Sequence, residues 1–330
     1  MRRPTIKDIA EKANVSGWTV SQVLNGRTGV SIAEKTRHRV LQIAGEVGYR
    51  PNHAARALVS NRTHLIAIWM RTHESYSPYY GNIQHHLQRF ARQHGYQCIT
   101  EGVAIEDVEE LDFSKLMNWP MDGVIACDVN GPVSAYAAIN SDDRLPMVSI
   151  GALSVDSTDY VRVDLYSGAL SAVRHLIDVG CRRISYIGRL PYDMRADAYA
   201  HVLQEHNRIE EYIPCPADSR ASGRTSILDY IHSNGTPDGI FCENDELAIG
   251  CYRGLCELGI RVPEDVAIVG CDGIDDIAYQ ARQISTINVP IYELCETAWT
   301  FLENRINKPD LPQQQHVIIP ELIVRESSRR

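Results

Sequence analysis

The sequence predicts two architectures in one chain: an all-α helix-turn-helix head over residues 1–50 and an α/β body with parallel sheets from residue 63. Three observations predict it. Short stretches with apolar residues at helical spacing, broken by turn residues, fill the first 50 positions. From residue 63 onward, short β-branched runs alternate with amphipathic helical stretches, the pattern of parallel sheets covered by helices. Charge divides at the same place. Of 33 Lys+Arg and 42 Asp+Glu, 11 and 4 fall in residues 1–62, so the head carries +7 and the remainder −16. A basic head on an acidic body suggests that the head meets a polyanion; a merely solvated basic face is the plainer alternative.

In the head, Thr5-x-x-Asp8 reads as a capping box opening a helix with Ile6, Ile9, Ala10 and Ala13 on one face. Asn14-Val15 breaks it. Ser16 caps a second helix, whose buried stripe is Val20, Val23 and Leu24, and Asn25-Gly26 ends it. Ser31-x-x-Glu34 reads as another capping box, opening a third helix that turns Val40, Ile43, Ala44 and Val47 inward and stops at Gly48. Two short helices across a tight turn, with a third behind, make the helix-turn-helix plan. The exposed positions at the start of the second helix are Gly17, Trp18, Thr19, Ser21 and Gln22.

The literal text is more specific than the pattern. Thr5-Ile6-Lys7-Asp8-Ile9-Ala10, then Val15-Ser16-x-x-Thr19-Val20-Ser21-x-Val23-Leu24-Asn25, then Gly48-Tyr49-Arg50-Pro51-Asn52-x-x-Ala55-Arg56-x-Leu58, closely resembles the DNA-binding head of the lactose-repressor (LacI/GalR) family. The resemblance implies that Gly17, Trp18 and Gln22 read bases. It implies that Thr5, Thr19, Ser21, Asn25 and Ser31 touch phosphates, which hydroxyls and amides can do. It also implies that a hinge helix over residues 51–62 enters the minor groove, with Leu58 as the wedge and Ala55 and Arg56 beside it. Leu58 packing on a partner or on the body is the alternative. This chain departs from the family at position 22, usually Arg. Gln22 suits adenine better than guanine. Gly17 has no side chain to read with. Trp18 either meets a thymine methyl or packs on the third helix.

In the body, strands are expected at Leu65–Met70, Gln97–Thr100, Gly123–Cys127, Met147–Ile150, Ile184–Ile187, Ile240–Cys242, Val266–Val269 and Gln315–Val324. Helices are expected between them, among them Gly81–His94, Ser167–Val179 and Asp245–Leu258. Such a length fits two α/β lobes around a cleft. The resemblance continues through Val163-Asp164-x-x-x-Gly168-Ala169, His175-Leu176-Ile177-x-x-Gly180-x-Arg182-Arg183-Ile184-x-x-Ile187-Gly188, Asn244-Asp245-x-x-Ala248-x-Gly250 and Val269-Gly270-x-Asp272. It implies a two-lobed fold of the periplasmic-binding-protein type (type I). In that fold the chain would cross between lobes near 162, 290 and 319, giving lobe 1 as 63–162 with 291–319 and lobe 2 as 163–290 with 320–330.

The resemblance also carries over a pocket: Tyr79 and Tyr80, the aromatic pair after Pro78, with Asp197, Asp218, Asn244 and Asp272. Position 197 is commonly Arg in the family, so Arg195 is the expected substitute, and position 218 is often aromatic. An alternative for Asp197 is a salt bridge with Arg195 or Arg189. Asp164 is expected to be structural. Three aspartates at one cleft imply an effector that is neutral and hydroxyl-rich, such as a sugar, or cationic, and not an anion.

Other classes find little support. No Rossmann, Walker, nucleophile-elbow or zincin motif occurs, so no catalytic residue and no cofactor are expected. The nine scattered cysteines include no C-x-x-C and read as reduced, mostly buried thiols, with no metal. No apolar run spans a membrane and no secretory leader precedes the head, so a cytoplasmic protein is expected. The expectation is a repressor-like homodimer on a pseudo-palindromic operator, controlled by a small molecule. The rivals are a regulator whose body only dimerises or docks proteins, and a solute-binding protein.

Overall fold

The computed structural model describes residues 4–24, 31–49, 62–71, 77–103, 120–139, 145–152, 155, 157–191 and 193–330. It divides into two compact units, Met1–Thr63 and His64–Arg330.

The first unit holds three helices: α1 (Ile6–Ala13), α2 (Gly17–Leu24) and α3 (Glu34–Glu46). The reciprocal capping box at Thr5 and Asp8 is present, and the Thr19 amide donates to Ser16 Oγ at 3.1 Å. Asn14 closes α1 in the left-handed conformation, which Asn tolerates well. Ile9, Ala10, Ala13, Val20, Val23, Val40 and Ala44 form the core of the unit. The expected capping box at Ser31 does not form. Helix α3 begins at Glu34 after Ala33, with no side-chain cap, and Ser31 is exposed. Glu34 sits within the first turn and turns forward to Arg37 (4.0 Å) and His38 (3.5 Å) instead of back toward Ser31. Gly48, with φ +64°, ends this run, as only a residue free of a Cβ does without strain.

The second unit is built on two six-stranded sheets. The first contains β1 (Leu65–Arg71), β2 (Gln97–Val103), β3 (Gly123–Cys127), β4 (Met147–Gly151) and β5 (Asp159–Val163). The second contains β6 (Ile184–Arg189), β7 (Glu211–Cys215), β8 (Gly239–Cys242), β9 (Ala267–Asp272) and β10 (Ser285–Asn288). The chain then returns to add β11 (Gln315–Ile318) to the first sheet and crosses again to add β12 (Glu321–Ile323) to the second. The orders are β11-β5-β4-β3-β1-β2 and β12-β10-β9-β8-β6-β7, the same winding built twice. All pairings are parallel except β10 with β12.

Central strands such as β1 and β3 are continuous apolar runs because helices cover both faces of the sheet. Helices α4 (Pro78–Gln93), α5 (Asn130–Ile139) and α10 (Ile291–Asn307) serve the first lobe. Helices α6 (Leu165–Asp178), α7 (Met194–Glu205), α8 (Arg220–Asn234) and α9 (Asp245–Glu257) serve the second. One apolar cluster runs through both lobes, passing the crossings at Val163, Leu165, Val289 and Ile291.

The sequence reading lacks β5, β7 and β10, and it takes Gln315–Val324 as one strand. Pro320 sits between β11 and β12, and the chain changes sheet there. Strand β7 contains Pro214, which is tolerated because β7 is an edge strand.

Candidate functional site

On the first unit, α2 presents Trp18 with 59% of its surface exposed, so it is not buried against α3. Thr19 Oγ1 lies 2.9 Å from Ser16 Oγ, and the Thr5 hydroxyl donates to Asp8 at 2.8 Å. Around Gly17, an added Cβ would meet only Ile6 Cγ2, at 3.7 Å, so packing does not demand glycine there. The amide oxygen of Gln22 is sheltered and finds no hydrogen-bond partner among the described residues. Lys7, Lys12, Lys35 and Arg39 are exposed around these helices. Asn25, Ala55, Arg56 and Leu58 lie outside the described residues, so the hinge is not placed.

On the second unit, a cleft of about 470 Å³ opens between the lobes. Its walls are built at the C-terminal ends of the strands, where open α/β sheets bind ligands. Arg71 ends β1, Asp128 follows β3, Ala152 follows β4, and Val163 ends β5. Opposite them, Asp218 follows β7, Glu243 and Asn244 follow β8, and Asp272 ends β9. Tyr79 and Tyr80 enter from the first turn of α4 in an edge-to-face pair with centroids 5.2 Å apart.

Helix caps fix several of these groups. Asn244 caps α9, accepting from the Leu247 amide at 2.9 Å, while its own amide donates to Asp218 at 3.3 Å. Asp193 caps α7, and its carboxylate also accepts from the Arg195 side chain at 2.6 Å. Asp164, expected to be structural, caps α6: it accepts from the Ser167 amide at 3.2 Å.

Asp128 receives the Tyr80 hydroxyl at 3.0 Å and the Ala152 amide at 3.1 Å. Its carboxyl packs so closely on the backbone at Gly151 that a Cβ there would fall 1.9 Å from Oδ1. Burial raises the Asp128 pKa against the pull of those two hydrogen bonds. Burial, then the charge of Asp128, pushes both tyrosines well above the usual phenol range. Tyr79 packs against the apolar clusters of both lobes, although α4 belongs to the first.

Arg195, 12% exposed, is the cation of the second wall. It binds Asp193, the Glu243 carbonyl at 2.6 Å and the Glu243 carboxylate at 3.2 Å. Burial opposes its charge, but Asp193 and Glu243 more than offset that and hold its pKa well above the usual value. Burial pushes Glu243 up to about 7. Asp272 is raised well above the carboxylate range by burial and by Asp245 behind it. Asp245 is buried, pinned by the Gly273 and Ile274 amides (2.7 and 3.0 Å) and the Thr286 hydroxyl (2.8 Å).

The structure thus brings Tyr79, Tyr80, Arg195, Asp218, Asn244 and Asp272 to one cleft. Asp197 stands apart. It is exposed and does not line the cleft. Positions 195 and 197 are about 200° apart around a helix, so one faces in and the other out. Nor does Asp197 pair with Arg195 or Arg189: their carboxylate partners are Asp193 and Glu243, and Asp218 at 4.0 Å. The acidity of the cleft comes instead from Asp128, Asp193, Glu243 and Glu246, which the sequence reading lacks. Their shared signal is an acid placed directly after a buried apolar strand or at a helix start.

Comparison with known proteins decides the family. Residues 5–52 match the family model for bacterial regulatory proteins of the lacI family. Residues 173–328 match the periplasmic binding protein-like domain. The HTH-type transcriptional repressor PurR of Escherichia coli O1:K1 / APEC is 32% identical over 338 residues, spanning 98% of this chain and 96% of the relative. PurR of Klebsiella pneumoniae (strain 342) is 31% identical over 337 residues, with the same two coverages.

The chain belongs to the LacI family.

It is a DNA-binding transcriptional repressor of that family, as its relatives are, and not an enzyme. The fold agrees. The lac repressor dimer bound to operator and the anti-inducer ONPF superposes with a TM-score of 0.84 at 22% identity, covering 99% of both chains. The regulator CelR in complex with cellobiose gives 0.67 at 25% identity, covering 98% of this chain and 100% of that one. No helix among the described residues is long and apolar enough to cross a membrane, and no cluster of metal-ligating side chains occurs there.

Proposed function

We propose that this LacI-family repressor works as a cytoplasmic homodimer on a pseudo-palindromic operator and is controlled by a small polar molecule in the interlobe cleft. The observation that carries the reading is the cleft itself: two lobes contribute an aromatic pair, an amide and several carboxylates to one cavity of ligand size. The relatives' complexes support it. The lac repressor binds operator and ONPF, and CelR binds cellobiose.

In this reading, α2 enters the major groove with Gly17, Trp18 and Gln22 at base edges. Thr5, Thr19, Ser21, Asn25 and Ser31 sit on phosphates, and the segment with Ala55, Arg56 and Leu58 reaches the minor groove. A Gln at position 22 suits adenine better than guanine. In the cleft, Tyr79, Tyr80, Arg195, Asp218, Asn244 and Asp272 act on the effector, joined by Asp128 and Glu243. The surplus of carboxylates favours a neutral hydroxyl-rich or cationic effector over an anion. Closure of the lobes on that effector would change how the two heads sit on the operator, and effector and DNA would couple reciprocally.

The test is fluorescence-anisotropy binding of the full chain to a library of palindromic duplexes with a central CG step, with and without a panel of small molecules. Selective, salt-sensitive binding that one compound shifts is the expected outcome. Selective binding that no compound shifts would favour a body that only dimerises or docks other proteins.

A further inference from the structure

The cleft is rich in acids. Its described polar lining includes the carboxylates of Asp128, Asp193, Asp218, Glu243, Glu246 and Asp272. Cations are few, and the deepest is already spent. Arg195 directs its guanidinium at Asp193, at the Glu243 carboxylate and at the Glu243 carbonyl. Glu246 is held by Arg220 at 2.7 Å, and Asp218 faces Arg189. Two carboxyls on opposite walls make no ion pair within 4 Å among the described residues: Asp128, bonded to a phenol and a backbone amide and acted on by Arg195 and Arg71 from farther away, and Asp272, acted on by Arg195 from farther away. Arg71 is the further cation on the wall, on the first lobe.

The donor count decides between the two ligand classes left open above. A hydroxyl brings one donor and two lone pairs that need donors in return. Two of the lining's donors are committed, the Asn244 amide to Asp218 and the Tyr80 hydroxyl to Asp128, which leaves Arg71 and the Tyr79 and Ser77 hydroxyls against six carboxyl groups. A protonated nitrogen brings only donors and a positive charge. Tyr79, which lines the cleft close to both of these acids, is an aromatic side chain of the kind cations favour.

We propose that the ligand of this cleft carries a protonated nitrogen, an ammonium or amidinium group, seated between Asp128 and Asp272 and beside Tyr79. The proposal rests on reading the cleft as the effector site. Its hydroxyl-bearing or carbon frame would lie toward Tyr80 and Asn244.

The experiment is a thermal-shift and calorimetric screen of the full chain with three matched sets. The cations are glucosamine, galactosamine, putrescine and agmatine; the neutral set is glucose, galactose, cytidine and adenosine; the anions are glucose 6-phosphate and galacturonate. Stabilisation by at least one cation is expected. Asp272→Asn should weaken that cation at least roughly tenfold. Asp197→Asn, outside the cleft, should leave its affinity unchanged. Stabilisation by neutral or anionic compounds alone would overturn the cationic class and leave the cleft reading standing. No shift from any set, in a protein that still binds operator, would overturn both. A cation whose affinity ignores Asp272→Asn would overturn the seat.

Discussion

Glu243 gives the body a pH dependence that one isosteric change should remove. Burial raises its carboxyl from 4.5 to about 7, while Arg195 pulls the other way and Asp193 and Asp218 add to the rise. A carboxyl with a higher pKa folded than unfolded holds its proton more tightly in the native state. Its contribution to stability is therefore complete below about pH 4.5 and is lost as pH rises through about 7. At about 1.4 kcal/mol for each tenfold difference in proton affinity, that interval amounts to roughly 3 kcal/mol. The residue is 8% exposed, so solvent screens little of it. Glu243→Gln keeps the shape and the acceptor for the Arg189 amide, but it stays neutral at every pH. We expect variant and wild type to be nearly equal near pH 4, with the variant gaining about 3 kcal/mol by pH 8. Urea denaturation of the full chain at a series of pH values measures the gap. Parallel stability curves would refute the reasoning. A gap widening in the opposite direction would mean that Arg195 holds Glu243 ionised throughout.

Other outcomes follow from the geometry. Arg305→Ala strands the carboxylate of Asp159, which is 1% exposed, and should cost about 3–5 kcal/mol in urea denaturation; a loss under about 1 kcal/mol would mean that the Gln314 donors suffice alone. Gly270→Ala places a Cβ 2.2 Å from Asp245 Oδ1, so a lowered Tm and weakened effector binding are expected together, because Asp245 also anchors the turn after Asp272. Gly17→Ala fits without a clash and should raise head stability by up to about 1 kcal/mol while altering operator preference; unchanged preference in an anisotropy assay would remove position 17 from the readout. Trp18→Ala should leave Tm within about a degree, because the ring is largely exposed, yet weaken operator binding.

Much of the fold was legible where burial is apolar. Strands β1, β3 and β4 are mostly apolar runs, buried along nearly their whole length, of the kind a doubly covered sheet needs. The unread strands hide their burial in other ways. Strand β10 begins Ser285-Thr286, fully buried because Ser285 bonds Ser328 and Thr286 bonds Asp245. Hydropathy cannot see a hydroxyl that is already paired. Strand β7 carries Pro214, which argues against a strand until its edge position is known. The cleft was legible only in part for a similar reason. Asp128, Asp193 and Glu243 resemble solvated acids in the sequence. Their function as lining appears only when the strands that precede them, or the helix that follows, are seen to end at the same gap. Asp197 misses the cleft by the angle of a helix: Arg195, two positions earlier, faces in, and Asp197 faces out.

The three passages of the chain between the sheets have a consequence for how such proteins can be recombined. A single cut near residue 63 frees the head as a cassette, so a new operator preference can be acquired by one exchange. The lobes allow no such trade. Strands β11 and β12, at the far end of the chain, complete sheets begun by β1 and β6, so a foreign lobe must arrive in pieces at three junctions or not at all. Exchange can therefore rewire which genes are addressed much faster than it can rewire the cleft between the lobes, which is left to change one side chain at a time.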